Sequence, residues 1–227
     1  FDFWMLGATL LLVVIGILMI YSATACIPGE SLDWNSVTIR QGLYDIAGLV
    51  GMAILTWIDY RLYGFLRWII LAFTIFILLI VFAIGQLTLG AQRWIDLRFF
   101  LFQPSELSKL LLVLVVAKYM ADHLEEMAQW HRVIISFLFV VVPIGLVYAQ
   151  PDLGTTIVIA ASWGVMALAA GMKLRDELII LTIGVIAAPL LWSNLRPYLQ
   201  ERILTFLDPG RDPLGAGYNV TQARIAI

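Results

Sequence analysis

The chain has little charge. Only 13% of its 227 residues are Asp, Glu, Lys or Arg, and 62% are hydrophobic, whereas soluble domains carry about 25% charged residues. This composition excludes an ordinary soluble domain and predicts an integral membrane protein. Its apolar runs should be helices, because lipid offers no hydrogen bonds to an unpaired backbone.

Cysteine, histidine and basic stretches are also scarce, which further restricts the class of protein. The single cysteine, Cys26, excludes an internal disulfide. The two histidines, His123 and His131, lie in a charged loop without the ligand spacing of a zinc site. The sequence has no basic helix or stripe, so nucleic acid is not expected as a partner.

Seven apolar runs predict an all-α, polytopic membrane helix bundle, since a bilayer core needs roughly 20 apolar residues per helix. The predicted spans are 3–25, 42–57, 65–84, 104–121, 133–149, 153–172 and 177–194. Residues 1–195 would form the transmembrane bundle, and residues 196–227, which carry several turn signals, an extracytoplasmic loop. Because the polar stretch stops at Ile227, we expect a chain truncated before further spans.

Basic residues in the loops and at the adjoining span ends set the orientation. One side collects six of them, and the short loops on the other side carry Arg40, Arg93 and Arg98. The six are Arg61, Arg67, Lys118, Arg132, Lys173 and Arg175. The positive-inside rule makes the richer side cytoplasmic. The outer face then receives Glu106, Lys109, Asp152 and the tail.

Two of the spans open with Gln-Pro followed closely by an acid, at residues 103–106 and 150–152. Asp152 is either a plain helix cap facing the helix dipole or a carboxylate kept ionised as a general base or metal ligand. Glu106 and Lys109 are three residues apart and share one helix face. They form either a structural ion pair or a site that orients a hydroxyl or binds phosphate.

The segment before the fourth span is rich in aromatic residues, which predicts a re-entrant or surface-lying stretch at the membrane interface. Its arginines, Arg93 and Arg98, are either interfacial anchors or ligands for a lipid phosphate. Asp45, in the second span, is expected to pair with Arg40.

Three motifs together resemble one family in their order and spacing. They are residues 90–97 (GAQRWIDL) with 102–106 (FQPSE) and Lys109, residues 149–155 (AQPDLGT), and in the tail 207–209 (LDP), 212–218 (DPLGAGY), Gln222 and 225–227 (IAI). The chain resembles the SEDS family of shape, elongation, division and sporulation proteins. Within that family it is most similar to the elongation branch.

The resemblance implies a ten-span enzyme of the bacterial cytoplasmic (inner) membrane, a peptidoglycan glycosyltransferase that polymerises lipid II at the outer face and releases undecaprenyl pyrophosphate. It implies a class B penicillin-binding protein as partner, in addition to membrane lipids. Asp152 matches the family's essential aspartate, proposed as base or metal ligand. Glu106 and Lys109 match required residues, and Arg40 matches a further arginine less securely.

The resulting hypothesis assigns catalysis to Asp152, Glu106 and Lys109. The substrate-binding candidates are Arg40, Arg93, Arg98, Gln103, Gln150 and Arg202. A divalent cation, Mg²⁺ or Mn²⁺ held at Asp152, could share the stabilisation of the pyrophosphate. Two alternatives stay open at this point: a lipid II flippase, and a shortened, non-catalytic subunit of another membrane complex.

Overall fold

A computed structural model of the chain describes residues 2–24, 36–88, 91–96, 101–192, 197–208, 218 and 221–223. This part of the chain is mostly helical. In the described ranges the α-helices are α1 (Phe3–Thr24), α2 (Val37–Trp57), α3 (Tyr60–Phe65), α4 (Arg67–Ile84), α5 (Pro104–Asp122), α6 (Trp130–Ala149), α7 (Leu153–Ala169), α8 (Leu174–Trp192) and α9 (Pro197–Leu207). A 3₁₀ turn, Leu124–Glu126, follows α5.

Each predicted span overlaps one long helix. The largest shift is in α2, which begins at Val37 rather than at residue 42 because Ser36 caps it: the Ile39 amide donates to Ser36 Oγ at 3.4 Å. Among the described residues, α1, α4 and α6 are long and apolar enough to cross a membrane, and α7 is apolar but shorter. The chain is an integral membrane protein. The count of seven crossings stays a prediction.

The all-α prediction is wrong between α4 and α5. A small antiparallel sheet stands there, with strands β1 (Gln86–Thr88), β2 (Ala91–Asp96) and β3 (Leu101–Phe102) in the order β1-β2-β3. Strands of three, six and two residues are too short for an alternating pattern to show in the sequence. The interfacial segment is therefore folded as a sheet.

Arg93 lies at an irregularity of this sheet. Gln86 pairs with Trp94 and Leu87 pairs with Gln92, so the register skips Arg93. Such bulges change the direction of a side chain and are common beside functional sites. The bulge gives Arg93 an orientation that a regular strand would not.

The chain divides into two compact units, Phe1–Tyr60 and Arg61–Ile227. In the first unit α1 packs on α2. Arg40 Nη2 donates to the Tyr44 hydroxyl at 3.3 Å, and Gln41 Nε2 donates to Asp45 Oδ1 at 2.8 Å. Among the described residues these bonds replace the expected pair of Arg40 with Asp45.

In the second unit α5 is the central helix and packs against α4, α6 and α7. The core is apolar and comes from all four helices. Its buried members include Leu78, Leu112, Val115, Val116, Val133, Val140, Val147, Ile159, Trp163 and Ala167. This core separates the two ends of the bundle.

Helices α5 and α7 run in the same direction. Ser105, at the start of α5, contacts Asp152, at the start of α7. At the far ends, a Cβ placed on Gly171 would lie 3.9 Å from the Leu124 carbonyl oxygen. Gly171 has φ +102°, and it ends α7 in a Schellman motif with Met172 N donating to Ala167 O at 2.9 Å. The acidic openings of both helices therefore meet at one end.

Candidate active site

Asp152 caps helix α7, as one of the two sequence-based interpretations predicted. Its Oδ1 accepts the Thr155 backbone N–H at 3.2 Å, and its Oδ2 accepts the Thr155 hydroxyl at 3.0 Å. The Thr156 hydroxyl donates to the Asp152 carbonyl at 2.8 Å. A side chain bonded to its own helix in this way has few other rotamers, so the carboxylate is held in one orientation.

The start of helix α5 and the residue before it supply two more donors to the same carboxylate. Gln103 Nε2 lies 2.9 Å from Asp152 Oδ2, and Ser105 Oγ lies 3.3 Å from the same oxygen. Gln103 is the residue before α5, but its side chain does not cap that helix. Pro104 at the first helical turn needs no N–H partner. The Gln103 amide reaches across to α7 and also donates to Ser105 Oγ, at 3.0 Å.

Arg93 is the cation beside Asp152. Its Nη1 lies 3.7 Å from Asp152 Oδ1, and the two side chains are only 15% and 8% exposed. Arg93 Nε is buried and has no hydrogen-bond partner among the described residues. A buried guanidinium with an unsatisfied N–H is costly, and an anionic ligand would satisfy it.

The two oxygens of Asp152 differ in how many groups they already bind. Oδ2 accepts from Thr155, Gln103 and Ser105, whereas Oδ1 accepts one hydrogen bond and faces Arg93. A carboxylate has about four lone-pair positions, two on each oxygen. Oδ1 is therefore the atom that can accept a proton from a bound substrate.

Gln150 is buried and bonded within the protein. Its Nε2 donates to the Leu78 carbonyl of α4 at 2.9 Å, and the side chain is 1% exposed. Its Oε1 has no partner among the residues described. The amide thus joins the end of α6 to α4. Substrate binding by Gln150 remains a prediction that would have to use Oε1.

Glu106 and Lys109 form the expected ion pair, with Lys109 Nζ 2.8 Å from Glu106 Oε2. Within the described part of the chain neither one bonds to Asp152. Lys109 also lines a small cavity between α5, α6 and α7, next to Val140 and Ile159. The pair lies in the first turns of α5, as Ser105 does, but it does not belong to the set of groups that bond Asp152.

Three other candidates are not placed at this site. Arg40 belongs to the first compact unit. Arg98 lies outside the described residues. Arg202 lies in α9, but its side chain is outside what the structure describes. Their roles in substrate binding stay predictions.

Sequence reasoning missed Ser105 and Thr155 as members of the site. Both lay within the recognised motifs, and both are buried beside Asp152. A hydroxyl three residues after a capping acid was a usable signal for Thr155. For Ser105 the signal was weaker, because only the contact between α5 and α7 brings it to the carboxylate.

A divalent cation would find a single carboxylate here. Among the described residues no three His, Cys, Asp or Glu side chains cluster to hold a metal ion. Mg²⁺ is commonly bound by one or two carboxylates together with substrate phosphates. The donor set therefore fits a cation that arrives with a phosphate-bearing substrate, with Asp152 as its protein ligand.

The fold and the site define a class: an integral membrane helix bundle with a buried carboxylate and arginine at one end. The chain belongs to the FtsW/RodA/SpoVE family, described as cell cycle protein, whose model matches residues 3–227. This is the family that the sequence motifs indicated.

The curated relatives include proteins named as peptidoglycan glycosyltransferases. The chain is 35% identical to the peptidoglycan glycosyltransferase MrdB of Escherichia coli K12, over 98% of this chain and 60% of that protein. It is 32% identical to a probable peptidoglycan glycosyltransferase FtsW of Geobacter sp. M18, over 100% of this chain and 63% of the relative. The chain thus spans about three fifths of the length of these relatives.

Solved structures share the fold. One comes from work on the structural coordination of polymerization and crosslinking by a peptidoglycan synthase complex. It matches with a TM-score of 0.78 and 29% identity, over 97% of this chain and 64% of that one. The crystal structure of the rod shape determining protein RodA of Thermus thermophilus matches with a TM-score of 0.68 and 25% identity, over 84% and 59%.

Proposed function

We propose that the full protein is a peptidoglycan glycosyltransferase that polymerises lipid II at the outer face of the bacterial cytoplasmic membrane, for cell elongation and shape. One observation carries the proposal: Asp152 is fixed by four hydrogen bonds, while its Oδ1 faces Arg93, whose side chain is largely buried. The relatives are named as peptidoglycan glycosyltransferases, and Asp152 would be the base that such a glycosyl transfer needs.

In the proposed step Asp152 Oδ1 takes the proton of a sugar 4-hydroxyl. The hydroxyl oxygen forms a bond to the anomeric carbon of the growing chain. The bond from that carbon to the pyrophosphate oxygen breaks, and undecaprenyl pyrophosphate leaves with the electron pair. General bases placed within hydrogen-bond reach contribute about 10²- to 10⁴-fold to such reactions.

Arg93 would stabilise the leaving group. Negative charge develops on the pyrophosphate as the bond breaks, and a guanidinium matches phosphate oxygens with two parallel N–H groups. Arg93 Nε has no hydrogen-bond partner in the described part of the chain, and a phosphate oxygen of the substrate would supply one. Lys109, held by Glu106, would bind a phosphate or orient a hydroxyl from α5.

Binding of a cation, Mg²⁺ or Mn²⁺, is the alternative role that we propose for Asp152: Oδ1 would then be a ligand of the cation instead of the proton acceptor. The cation would neutralise charge on the leaving group. Removing divalent ions with a chelator should then lower the polymerisation rate and raise the apparent KM for lipid II. An unchanged rate after chelation would remove the cation from the account.

The partner we propose is a class B penicillin-binding protein, which would crosslink the strands. Support comes from the solved relative that belongs to a complex coordinating polymerization and crosslinking. The whole protein would have ten spans, seven of them in residues 1–195. Co-purification of the tagged full protein with such a transpeptidase from bacterial membranes tests the partnership.

A lipid II flippase is the competing function. A transport path needs polar groups along the bundle. The described carboxylate lies at one end, above an apolar core that includes Val115, Val116 and Ile159. This arrangement favours chemistry at one surface, and it gives the third alternative, a non-catalytic subunit, no specific support.

The deciding experiment reconstitutes the full protein in liposomes with fluorescent lipid II and measures both glycan strands and transbilayer movement. Polymer formation that Asp152→Ala abolishes supports the enzyme. The control is Glu125→Gln, an exposed acid in the 3₁₀ turn at the other end of α5, which should keep full activity. Lipid movement without polymer would support the flippase and contradict our proposal.

A further inference from the structure

The far end of helix α5 has a cavity of its own. It measures about 430 Å³ and lies between α3, the start of α4 and the last turns of α5. Its lining residues are Arg61, Gly64, Phe65, Arg67, Trp68, Lys118 and Asp122. The Asp152 site lies at the opposite end of α5, so this cavity is no extension of it.

The lining carries three cations and one acid. Arg67 Nη1 lies 2.6 Å from Asp122 Oδ2, and Lys118 Nζ bonds the other oxygen of the same carboxylate. One carboxylate thus bridges two cations, so Arg67, Lys118 and Asp122 together carry a net positive charge. A positive, partly enclosed site of this kind attracts anions.

Gly64 allows Lys118 to lie across α3. A Cβ at residue 64 would come within 2.9 Å of Lys118 Cε. Any larger residue would have to displace the lysine stem. The absence of a side chain at this position therefore leaves room for the lysine stem, and Asp122 bonds the ammonium.

Two aromatic side chains at the rim indicate where the cavity opens. Phe65 is 83% exposed and Trp68 is 59% exposed, and the Arg67 guanidinium lies 5.7 Å from the Trp68 ring centre. In a membrane protein, exposed aromatic residues next to arginine and lysine are typical of the headgroup level. A ligand at this depth has an apolar part as well as an anionic one.

We propose that this cavity binds the phosphate of an anionic phospholipid headgroup. Arg67 and Lys118 would contact the phosphate oxygens, as guanidinium and ammonium groups do in other phosphate sites. Asp122 holds both cations in place and competes with the phosphate for them. Phe65 and Trp68 would lie against the glycerol and the upper acyl chains.

The test measures lipid bound to the purified full protein by native mass spectrometry, with phosphatidylglycerol against phosphatidylcholine. Each basic residue near an anionic headgroup contributes about 1 kcal/mol, or roughly fivefold in affinity. Arg67→Gln and Lys118→Gln should each weaken phosphatidylglycerol binding about fivefold. Lys173→Gln removes one charge from an exposed residue after α7 that lies outside the cavity and should leave binding unchanged.

Asp122→Asn separates a binding site from a structural ion pair. It removes the competing carboxylate, so phosphatidylglycerol should bind more tightly, by roughly fivefold. Misfolding could not produce this gain. Weaker or unchanged binding in Asp122→Asn would overturn the proposal.

Inorganic phosphate distinguishes a lipid from a soluble ligand. The proposal expects competition by phosphate only at concentrations far above those of the lipid. Displacement of phosphatidylglycerol by low phosphate, with the same dependence on Arg67 and Lys118, would overturn the lipid assignment. Equal binding of phosphatidylcholine would do the same, because it would show that net negative charge is not recognised.

Discussion

The two ends of helix α5 use similar residues for different purposes. At its start, Arg93 and Asp152 are 15% and 8% exposed, and the carboxylate accepts four hydrogen bonds. At its end, Arg67, Asp122 and Lys118 are 28%, 32% and 41% exposed and bond mainly to each other. Both ends combine arginine with aspartate.

The difference lies in burial. A buried carboxylate with neighbouring donors keeps one orientation, and low local polarity strengthens its interactions. An exposed pair is screened by water and ions and contributes little to stability. We therefore expect chemistry at the buried end and electrostatic attraction at the exposed end. The variants below probe this contrast.

Apart from replacement of Asp152 itself, Arg93→Gln should have the largest effect. It removes the cation that would stabilise the pyrophosphate, and single donors of this kind are worth about 10²- to 10³-fold in rate. The initial rate of lipid II polymerisation by the full protein measures it, with Glu125→Gln as control. A loss below about threefold would contradict the role of Arg93.

Ser105→Ala should lower the polymerisation rate about tenfold. It deletes one of three donors to Asp152 Oδ2, and a hydrogen bond to a charged group is worth about 1.5–3 kcal/mol. Because Ser105 positions the carboxylate, kcat should fall while KM for lipid II stays close to its wild-type value. Ser108→Ala is the matched control, since among the described residues its hydroxyl donates to the Ser105 carbonyl, at 2.8 Å, and not to Asp152.

Gln150→Leu should mainly reduce stability, by about 1 kcal/mol, since it removes a buried bond between α6 and α4. A thermal unfolding curve in detergent measures the effect. A large loss of activity with unchanged melting would instead favour the substrate-binding role that the sequence predicted for Gln150.

Asp122→Asn should change stability least, by less than about 1 kcal/mol, because Asp122 is exposed and its partners are partly exposed. Its effect should shrink further as salt is raised. A loss of several kcal/mol would mean that the two ends of α5 are not as different as we argue.

Much of this architecture could be predicted from the sequence. The apolar runs gave the helices, and the Gln-Pro-acid openings led to Asp152 and Gln103. The sheet could not be predicted, because its strands are short and their pairing joins separate segments. The contact of Ser105 with Asp152 could not be predicted either, because it depends on the packing of α5 against α7, which are separate segments of the chain.

The bulge at Arg93 is the clearest example of a feature that the sequence did not predict. The sequence offered Arg93 and Arg98 as equivalent candidates, and only the pairing of β1 with β2 shows that the register skips Arg93 beside the carboxylate. The paired residues lie within eight positions of one another, but strands this short carry too little alternating hydrophobic pattern to specify their register.

The most direct test of the account replaces Asp152 with asparagine in the full protein and measures the initial rate of lipid II polymerisation. Asparagine can still cap the helix, but its amide nitrogen would face donors that a carboxylate oxygen accepts, so the variant should keep its fold and melt somewhat below the wild type. It cannot accept the proton, and the account predicts a loss of about 10²- to 10⁴-fold. A well-folded Asp152→Asn protein that polymerises lipid II at the wild-type rate would show that Asp152 is only a helix cap.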